Sequence, residues 1–151
     1  MKVRLAAIGR RPPKWVAQGF DTYVKRLPRE LRFELIEIPN AKHPEVGQRQ
    51  SAEGDKLLAA ARGKVIALDE RGSMLTSQDL AQHLSHWQLQ GQDVTLLVGG
   101  ADGLSDKVRA SVDAMWSISG LTLPHYMVRL VLGEALYRAV TINSGHPYHR
   151  E

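Results

Sequence analysis

The last six residues of the chain, His146-Pro147-Tyr148-His149-Arg150-Glu151, contain two imidazoles, a phenol and a guanidinium. These groups can donate hydrogen bonds, stack on a nucleic-acid base or hold a phosphate. Chain ends are usually frayed and rarely concentrate such groups. We therefore expect this terminus, called the tail below, to be delivered to a binding site.

A second group of candidate residues is the glycine-rich segment Gly99-Gly100-Ala101-Asp102-Gly103, called the glycine loop. Glycines after a strand allow positive φ angles and leave backbone N–H groups open to a ligand. The spacing fits neither a dinucleotide fingerprint nor a P-loop, and Asp102 would repel a pyrophosphate. The loop is therefore either a tight turn without a ligand or a seat for a neutral or cationic ligand with an adenosine-like body.

A third candidate is the uncharged segment Ile118-Ser119-Gly120-Leu121-Thr122-Leu123, which we call the leucine loop. It could enclose an adenine through main-chain hydrogen bonds and leucine contacts, or it could be an ordinary buried connection. Pro124 ends it, and a helix is predicted from there towards Asn143. One i, i+4 row of that helix carries His125, Arg129, Gly133, Tyr137 and Thr141, whereas the predicted core side carries Val128, Leu132, Ala135 and Ala139.

Short β-like runs alternate with helical stretches along the whole chain, which favours a single α/β domain over residues 1–151. The predicted strands cover residues 3–8, 33–38, 64–68 and 93–98, with a fifth within 115–123. The clearest helices start near Pro12, run from about 45 to 61, and run from a cap at Thr76 or Ser77 to Gln90; residues 41–50 are polar enough to be mobile. Helical crossovers between strands imply a mostly parallel sheet flanked by helices. Ligands of such sheets gather beyond the carboxyl ends of the strands, where Leu68-Asp69-Glu70, the glycine loop and residues 117–123 should meet.

Composition limits the possible classes of protein. The chain has 151 residues and no cysteine, which excludes disulfides and thiolate metal sites. The start is too short and basic for a signal peptide, and no apolar run approaches the ~20 residues of a membrane span. His146 and His149 alone are too few ligands for a metal. We expect a cytoplasmic protein that needs no metal.

Positive charge is concentrated in the first third of the chain. Residues 1–50 hold 11 Lys and Arg against 5 Asp and Glu, although the net charge of the whole chain is only +4. Arg10, Arg11 and Lys14 belong to this basic part. Clustered positive charge is typical of a polyanion partner, and it is equally compatible with a solvated surface.

Several of these segments together resemble the ribosomal RNA large-subunit methyltransferase H family, over essentially the whole chain. They are the glycine loop, Ser119 to His125, Arg129, Glu134, Tyr137-Arg138-Ala139, the tail, and Phe33-Glu34-Leu35-Ile36-Glu37-Ile38-Pro39. This resemblance implies a SPOUT-type fold with a carboxyl-terminal trefoil knot, and a homodimer. It also implies methylation of N3 of a pseudouridine in a stem-loop of the large-subunit (23S) rRNA, within the assembled ribosome, with S-adenosylmethionine as cofactor.

The resemblance further implies roles for individual residues. The cofactor would be enclosed by Leu68, Gly99, Gly100, Ile118, Ser119, Gly120, Leu121, Thr122 and Leu123, although Gly120 has no side chain to contribute. The tail, with Tyr148, His149 and Arg150, would close over the target nucleotide, in its own subunit or in the partner.

The reaction itself indicates which residues could act as catalysts. The N3–H of pseudouridine must lose its proton to become a nucleophile, and its acidity makes a strong base unnecessary. His149, His125 or a water molecule could accept the proton, with Glu134 a weaker candidate, and either histidine could equally have a structural or RNA-positioning role. Arg129 or Arg150 could stabilise the imide anion or hold a phosphate, and Tyr148 could stack on a base. Arg10, Arg11 and Lys14 are predicted to contact the RNA.

Two functions of other classes remain open on sequence alone. One is a non-enzymatic ribosome-associated factor, which would not bind S-adenosylmethionine. The other is a nucleotide-dependent oxidoreductase, which would bind NADH despite the wrong glycine spacing.

Overall fold

The computed structural model describes residues 1–150 and contains one five-stranded sheet. The strands are β1 (Val3–Ile8), β2 (Glu34–Ile38), β3 (Lys64–Met74), β4 (Val94–Val98) and β5 (Ala114–Ser117). The helices are α1 (Lys14–Val24), α2 (Val46–Ala60), α3 (Ser77–Gln90), α4 (Asp106–Ser111) and α5 (His125–Ser144), with 3-10 turns at Arg29–Leu31 and Pro147–Arg150. All four strand pairings are parallel, in the order β2-β1-β4-β3-β5. The predicted α/β class and parallel sheet are confirmed.

Helices cover both faces of the sheet because alternate residues of each strand point to opposite sides. Leu5, Leu96 and Ile66 pack on one side against α1, α3 and α5. Ala6 and Leu97 pack on the other side against α2 and α4. The central strand β4 is buried along its whole length, as its continuous apolar run predicts.

The third strand is longer than predicted, since residues 64–68 were expected to form all of it. After Leu68 pairs with Trp116, the register jumps and Ser73 pairs with the same residue. The chain between them, 69–72, bulges out of the ladder before Met74 pairs with Ser117. Polar residues made this stretch look like the end of a strand, whereas the bulge places their side chains at the carboxyl edge of the sheet.

Helix α5 is buried on more sides than its sequence pattern indicates. Leu132 and Ala139 lie in the core as predicted, but Arg129, Gly133 and Thr141 of the supposed functional row are buried as well. At Gly133 the reason is that α1 packs on the helix, so that a Cβ there would lie 3.0 Å from the Phe20 ring, whereas Arg129 is buried against Glu37 and Gly9. Only the first turn of α5 is left to serve the carboxyl edge of the sheet.

Candidate active site

A cleft of about 780 Å³ lies at the carboxyl ends of β3, β4 and β5. Its wall contains eight of the nine residues predicted to hold the cofactor: Leu68, Gly99, Gly100, Ile118, Ser119, Leu121, Thr122 and Leu123. The ninth, Gly120, is exposed and does not line the cleft. The structure thus brings together the three segments that the strand-end argument predicts, in a volume typical of small-molecule sites.

The glycine loop passes directly over the end of β1. The N–H of Gly103 donates to the carbonyl of Gly100 at 3.0 Å, and Gly103 has a φ of +77°. A Cβ on Gly100 would lie 2.9 Å from Cγ2 of the buried Ile8. Glycine at position 100 therefore lets the backbone lie close to β1 and leaves its cleft side open to a ligand.

Asp102 of the glycine loop is held by α2. Arg49 donates to both carboxylate oxygens, at 2.8 and 3.2 Å, and Gln50 donates to the main-chain carbonyl of Asp102. The hydrogen bond from Arg49 holds the pKa of Asp102 below its usual range. The Asp102 carboxylate, which was expected to repel a pyrophosphate, is thus ionised but paired with Arg49. Arg49 was not identified from the sequence.

The bulge of β3 adds charged groups to the opposite wall. Asp69 accepts a hydrogen bond from Arg109 at 2.9 Å. Burial raises the pKa of Asp69, but hydrogen bonds from the Arg71 N–H and from Arg109 outweigh burial and leave that pKa below its usual range. Glu70 accepts a weaker bond of 3.3 Å from the Thr122 hydroxyl. The ionised Asp69 and the side chain of Glu70 therefore border the cleft.

The leucine loop closes the third side of the cleft. The Ser117 hydroxyl donates to the Ser119 carbonyl, and Ser119 Oγ accepts from the N–H of Leu121, both at 2.9 Å. These bonds fold the loop back on the end of β5. Leu121 is nevertheless 76% exposed at the rim, so its side chain can cover a ligand in the cleft.

His125, the first residue of α5, lines the cleft. Its Nε2 atom is buried and has no hydrogen-bond partner. Burial and the nearby Arg129 charge lower the pKa of His125, although the charge of Glu53 opposes them. The imidazole is therefore neutral at neutral pH and able to accept a proton.

The structure does not bring Arg129 into the wall of the cleft. Its guanidinium forms an ion pair with Glu37 at 2.6 Å and donates to the Gly9 carbonyl at 3.0 Å, and its side chain is 2% exposed. It also lies over the Tyr126 ring. In this arrangement Arg129 ties α5 to the ends of β1 and β2, and its predicted catalytic role is untested.

The tail packs on its own α5, away from the cleft. Tyr148 donates to Glu134 at 3.1 Å, beneath the Arg138 guanidinium that also binds Glu134. Burial, then hydrogen bonds with Tyr23 and Glu134, raise the pKa of Tyr148, so its phenol stays protonated. Neither Tyr148, His149 nor Arg150 lines the cleft of the same chain. Glu151 lies outside the described residues.

The predicted RNA-contacting residues lie at the same edge of the sheet as the cleft. Arg10 and Arg11 are exposed in the connection from β1 to α1, and Lys14 is exposed at the first position of α1. The Tyr126 hydroxyl donates to the Arg10 carbonyl at 3.1 Å, which fixes this connection beside the first turn of α5. Arg10 thus lies close to the first turn of α5, which begins with His125, but none of the three basic residues lines the cleft.

Glu53 is a buried acid that the sequence analysis missed. It is only 5% exposed, and its Oε2 accepts a hydrogen bond from the N–H of Ala41 at 3.0 Å. The signal was present, because Glu53 precedes the buried Leu57 by four residues and so shares its face of α2.

Within residues 1–150, no group of three or more His, Asp or Glu side chains is arranged to hold a metal ion. The same residues contain no helix with the length and hydropathy of a membrane span.

Comparison with known proteins identifies the family of this chain. Residues 1–149 match the family model described as "Predicted SPOUT methyltransferase". The chain is 46% identical, over 156 aligned positions covering all of both proteins, to "Ribosomal RNA large subunit methyltransferase H" of Hahella chejuensis.

Solved structures show the same fold at low identity. A probable methylase family protein from Haemophilus influenzae Rd KW20 has a TM-score of 0.59 and 11% identity over 97% of this chain and 69% of that one. A methylase family protein from Neisseria gonorrhoeae has a TM-score of 0.55 and 17% identity over 89% and 81% of the two chains. With a full-length family match, a close full-length relative and a shared fold, the chain belongs to the SPOUT methyltransferases, in the ribosomal RNA large subunit methyltransferase H family.

Proposed function

We propose that this protein transfers a methyl group from S-adenosylmethionine to N3 of a pseudouridine in a stem-loop of 23S rRNA. It acts in the cytoplasm, as a homodimer, on assembled ribosomes. The observation that carries the proposal is the cleft formed by the glycine loop, the bulge of β3 and the leucine loop. The name of the Hahella chejuensis relative supports the rRNA substrate.

The cleft fits a cationic cofactor with an adenosine body. Main-chain groups of the leucine loop and the side chains of Leu68 and Leu123 suit an adenine, and Gly99 and Gly100 leave room for close backbone approach. The carboxylates of Asp69 and Glu70 border the same space and favour a positively charged ligand. We further propose that the carboxyl-terminal segment forms the trefoil knot of SPOUT proteins around this cleft.

S-Adenosylmethionine, when bound, supplies an electrophilic methyl group with a good leaving group, so the protein chiefly orients the reactants and excludes water. His125 is neutral and lies in the wall of the cleft, where it accepts the N3 proton of the target base. Leu121 at the rim shields the reacting atoms from solvent.

The tail acts on the partner's cleft in this proposal. Helix α5 has 20 residues and separates His125 from the tail, which corresponds to about 30 Å of helix. Within one chain, Tyr148 is held by Glu134 in the middle of that helix. A second subunit can present Tyr148, His149 and Arg150 to the cleft, where they would stack on or hydrogen-bond the flipped nucleotide.

In this proposal the ribosome supplies part of the recognition surface. Arg10, Arg11 and Lys14 provide positive charge beside the cleft for phosphates of the rRNA. We expect ribosomes to be better substrates than a bare stem-loop for this reason.

The test is methyl transfer by the purified protein, with methyl-labelled S-adenosylmethionine and ribosomes that lack the modification. Mass spectrometry of the digested 23S rRNA should find one labelled methyl-pseudouridine, and a bare stem-loop should be labelled far more slowly. Absence of label in 23S rRNA, or label on a base other than pseudouridine, would refute the proposal. Equal turnover on the bare RNA would refute its ribosome-dependent part.

A further inference from the structure

Glu53 lies beneath the glycine loop, at the point where β1 and β4 end side by side. Its Oε1 atom would be 3.5 Å from a Cβ placed on Gly100. Its Oε2 is satisfied by the N–H of Ala41, but Oε1 is buried and has no partner. A buried carboxylate oxygen without a partner is costly, so Oε1 is available to accept a further hydrogen bond.

His125, beside the same loop, also has a buried polar atom that could form a hydrogen bond. It lines the cleft together with Gly100, and its buried Nε2 also lacks a partner. The charge of Glu53 raises the pKa of His125, against burial and the charge of Arg129, which lower it. A buried acceptor and a buried imidazole nitrogen thus lie beside the same loop, and within residues 1–150 neither atom is hydrogen-bonded, to the other or to any further group.

Most other charged groups around His125 have a group of opposite charge beside them, and of these Arg129 still lowers the pKa of His125. Asp69 is paired with Arg109 across the cleft, and Asp102 is paired with Arg49. Glu70 and Arg71 carry opposite charges on the bulge of β3. Arg129, on the same helix as His125, is paired with Glu37. Glu53 is therefore the one nearby carboxylate, within the described residues, that is buried and has no cationic partner at hydrogen-bond distance.

We propose that Glu53 is a positioning residue for methyl transfer, which accepts a hydrogen bond from Nε2–H of His125 and so leaves Nδ1 as the proton acceptor. This inference rests on the proposed function and adds a residue to it. A carboxylate that holds one imidazole nitrogen fixes the tautomer and stabilises the imidazolium formed when the other nitrogen takes a proton.

The step balances without any further reactant. The N3–H bond breaks and its proton goes to Nδ1 of His125, while the electron pair stays on N3. That pair forms the N3–CH3 bond as the methyl–sulfur bond breaks, and the sulfonium becomes a neutral thioether. His125 ends as an imidazolium that faces the Glu53 carboxylate, and it returns its proton to solvent after the product leaves.

A purely structural role for Glu53 predicts different behaviour. In that role it would only hold residues 39–45 through the N–H of Ala41. The amide oxygen of Glu53→Gln can still accept that bond, whereas the charge on the imidazole is lost. Asp55→Asn is a matched control, since it removes one carboxylate from the same helix at an exposed position paired with Lys107.

The experiment combines NMR titration of the His125 imidazole with single-turnover methyl transfer to ribosomes. Glu53→Gln should lower the His125 pKa by about one unit, because an adjacent negative charge is removed. The methyl-transfer rate at saturating cofactor should fall at least ~10-fold, with calorimetric affinity for S-adenosylmethionine within twofold of wild type. Glu53→Asp should recover part of the rate, and Asp55→Asn should behave as wild type in all three measurements.

Two results would overturn the inference while leaving the proposed function intact. One is that the wild type is active but the Glu53→Gln variant has the same His125 pKa as the wild type. The other is a lower rate in Glu53→Gln that is explained entirely by weaker cofactor binding. An inactive wild type would instead refute the proposed function, and the NMR titration would still report on the coupling of Glu53 and His125.

Discussion

At the residue scale, the neutral state of His125 is the feature on which the chemistry depends. Its pKa is lowered from the ordinary 6.5 by burial and by Arg129. The base form therefore dominates above the folded pKa, and the methyl-transfer rate should fall as the pH drops through that pKa. Because the unfolded chain takes up a proton near pH 6.5 that the folded protein resists, folding stability should also decline as the pH falls below this value.

His125→Gln should reduce the single-turnover methyl-transfer rate about 100-fold, since it removes the proton acceptor. Cofactor affinity should change little, because glutamine keeps a polar side chain of similar size in the cleft wall. Rapid-quench kinetics with calorimetry separates the two effects. A variant with a wild-type rate and an unchanged pH profile would show that another group, such as the partner's His149, takes the proton.

Arg129 offers a stability prediction rather than a catalytic one. Arg129→Met removes a guanidinium that is buried against Glu37 and Gly9 and should lower the free energy of unfolding by about 3 kcal/mol. The double variant with Glu37→Gln should recover part of that loss. Urea unfolding measures both values. A fully stable single variant that lacks methyl transfer would restore the predicted catalytic role of Arg129.

Individual residues were predictable from the sequence where the chemistry depends on residue type near a strand end. Leu68, Gly99 and Gly100 follow from strand ends and glycine positions, His125 was a candidate from its residue type on the helix after the leucine loop, and all four line the cleft. Glu53 and Arg49 were missed because their roles depend on the packing of α2 against the glycine loop. The shared helix face with the buried Leu57 is a local indication for Glu53 alone, and nothing in the local sequence indicates the contact of Arg49 with Asp102.

At the element scale, the glycine loop must lie against β1 for the cleft to form. Gly100→Ala would place a Cβ 2.9 Å from Ile8, which sits in the core and cannot move freely. The loop should shift into the cleft, and affinity for S-adenosylmethionine should fall at least ~10-fold. Calorimetry gives the affinity.

The matched control is Gly47→Ala, because position 47 is exposed in α2 and a Cβ there meets nothing within 4 Å. It should bind cofactor normally. Its free energy of unfolding should rise by up to ~1 kcal/mol, since alanine favours the helix. If Gly100→Ala also bound cofactor normally, the glycine loop would not be part of the cofactor-binding site.

The elements themselves were largely predictable, and the exceptions have physical reasons. The five strands and the α3 helix follow from hydrophobic runs and the Thr76 cap, whose side chain accepts from the N–H of Asp79. The extension of β3 was missed because its pairing with β5 resumes after a bulge of polar residues. Such pairing is set by the neighbouring strand, and local sequence does not encode it.

At the scale of the whole molecule, one chain holds its tail away from its own cleft. A mixing experiment tests whether the tail serves the partner. Protomers that end at Gly145 and protomers with Gly100→Leu should each be inactive alone. Their heterodimers should pair an intact cleft with an intact tail, and random mixing should restore about one quarter of wild-type activity.

The heterodimers should be confirmed by native mass spectrometry before activity is measured. A mixture that contains heterodimers but stays inactive would mean that the tail acts within its own subunit. Activity in the shortened protomer alone would mean that the tail is not required.

Family membership favours a methyltransferase over the oxidoreductase and the non-enzymatic factor that the sequence left open. The central claim is that this cleft methylates a pseudouridine of 23S rRNA. The most direct measurement is mass spectrometry of 23S rRNA nucleosides from cells that lack the gene, complemented with wild type or with Gly100→Leu. Methyl-pseudouridine should disappear on deletion, return with the wild type and stay absent with the variant. An unchanged amount of methyl-pseudouridine after deletion would contradict the account.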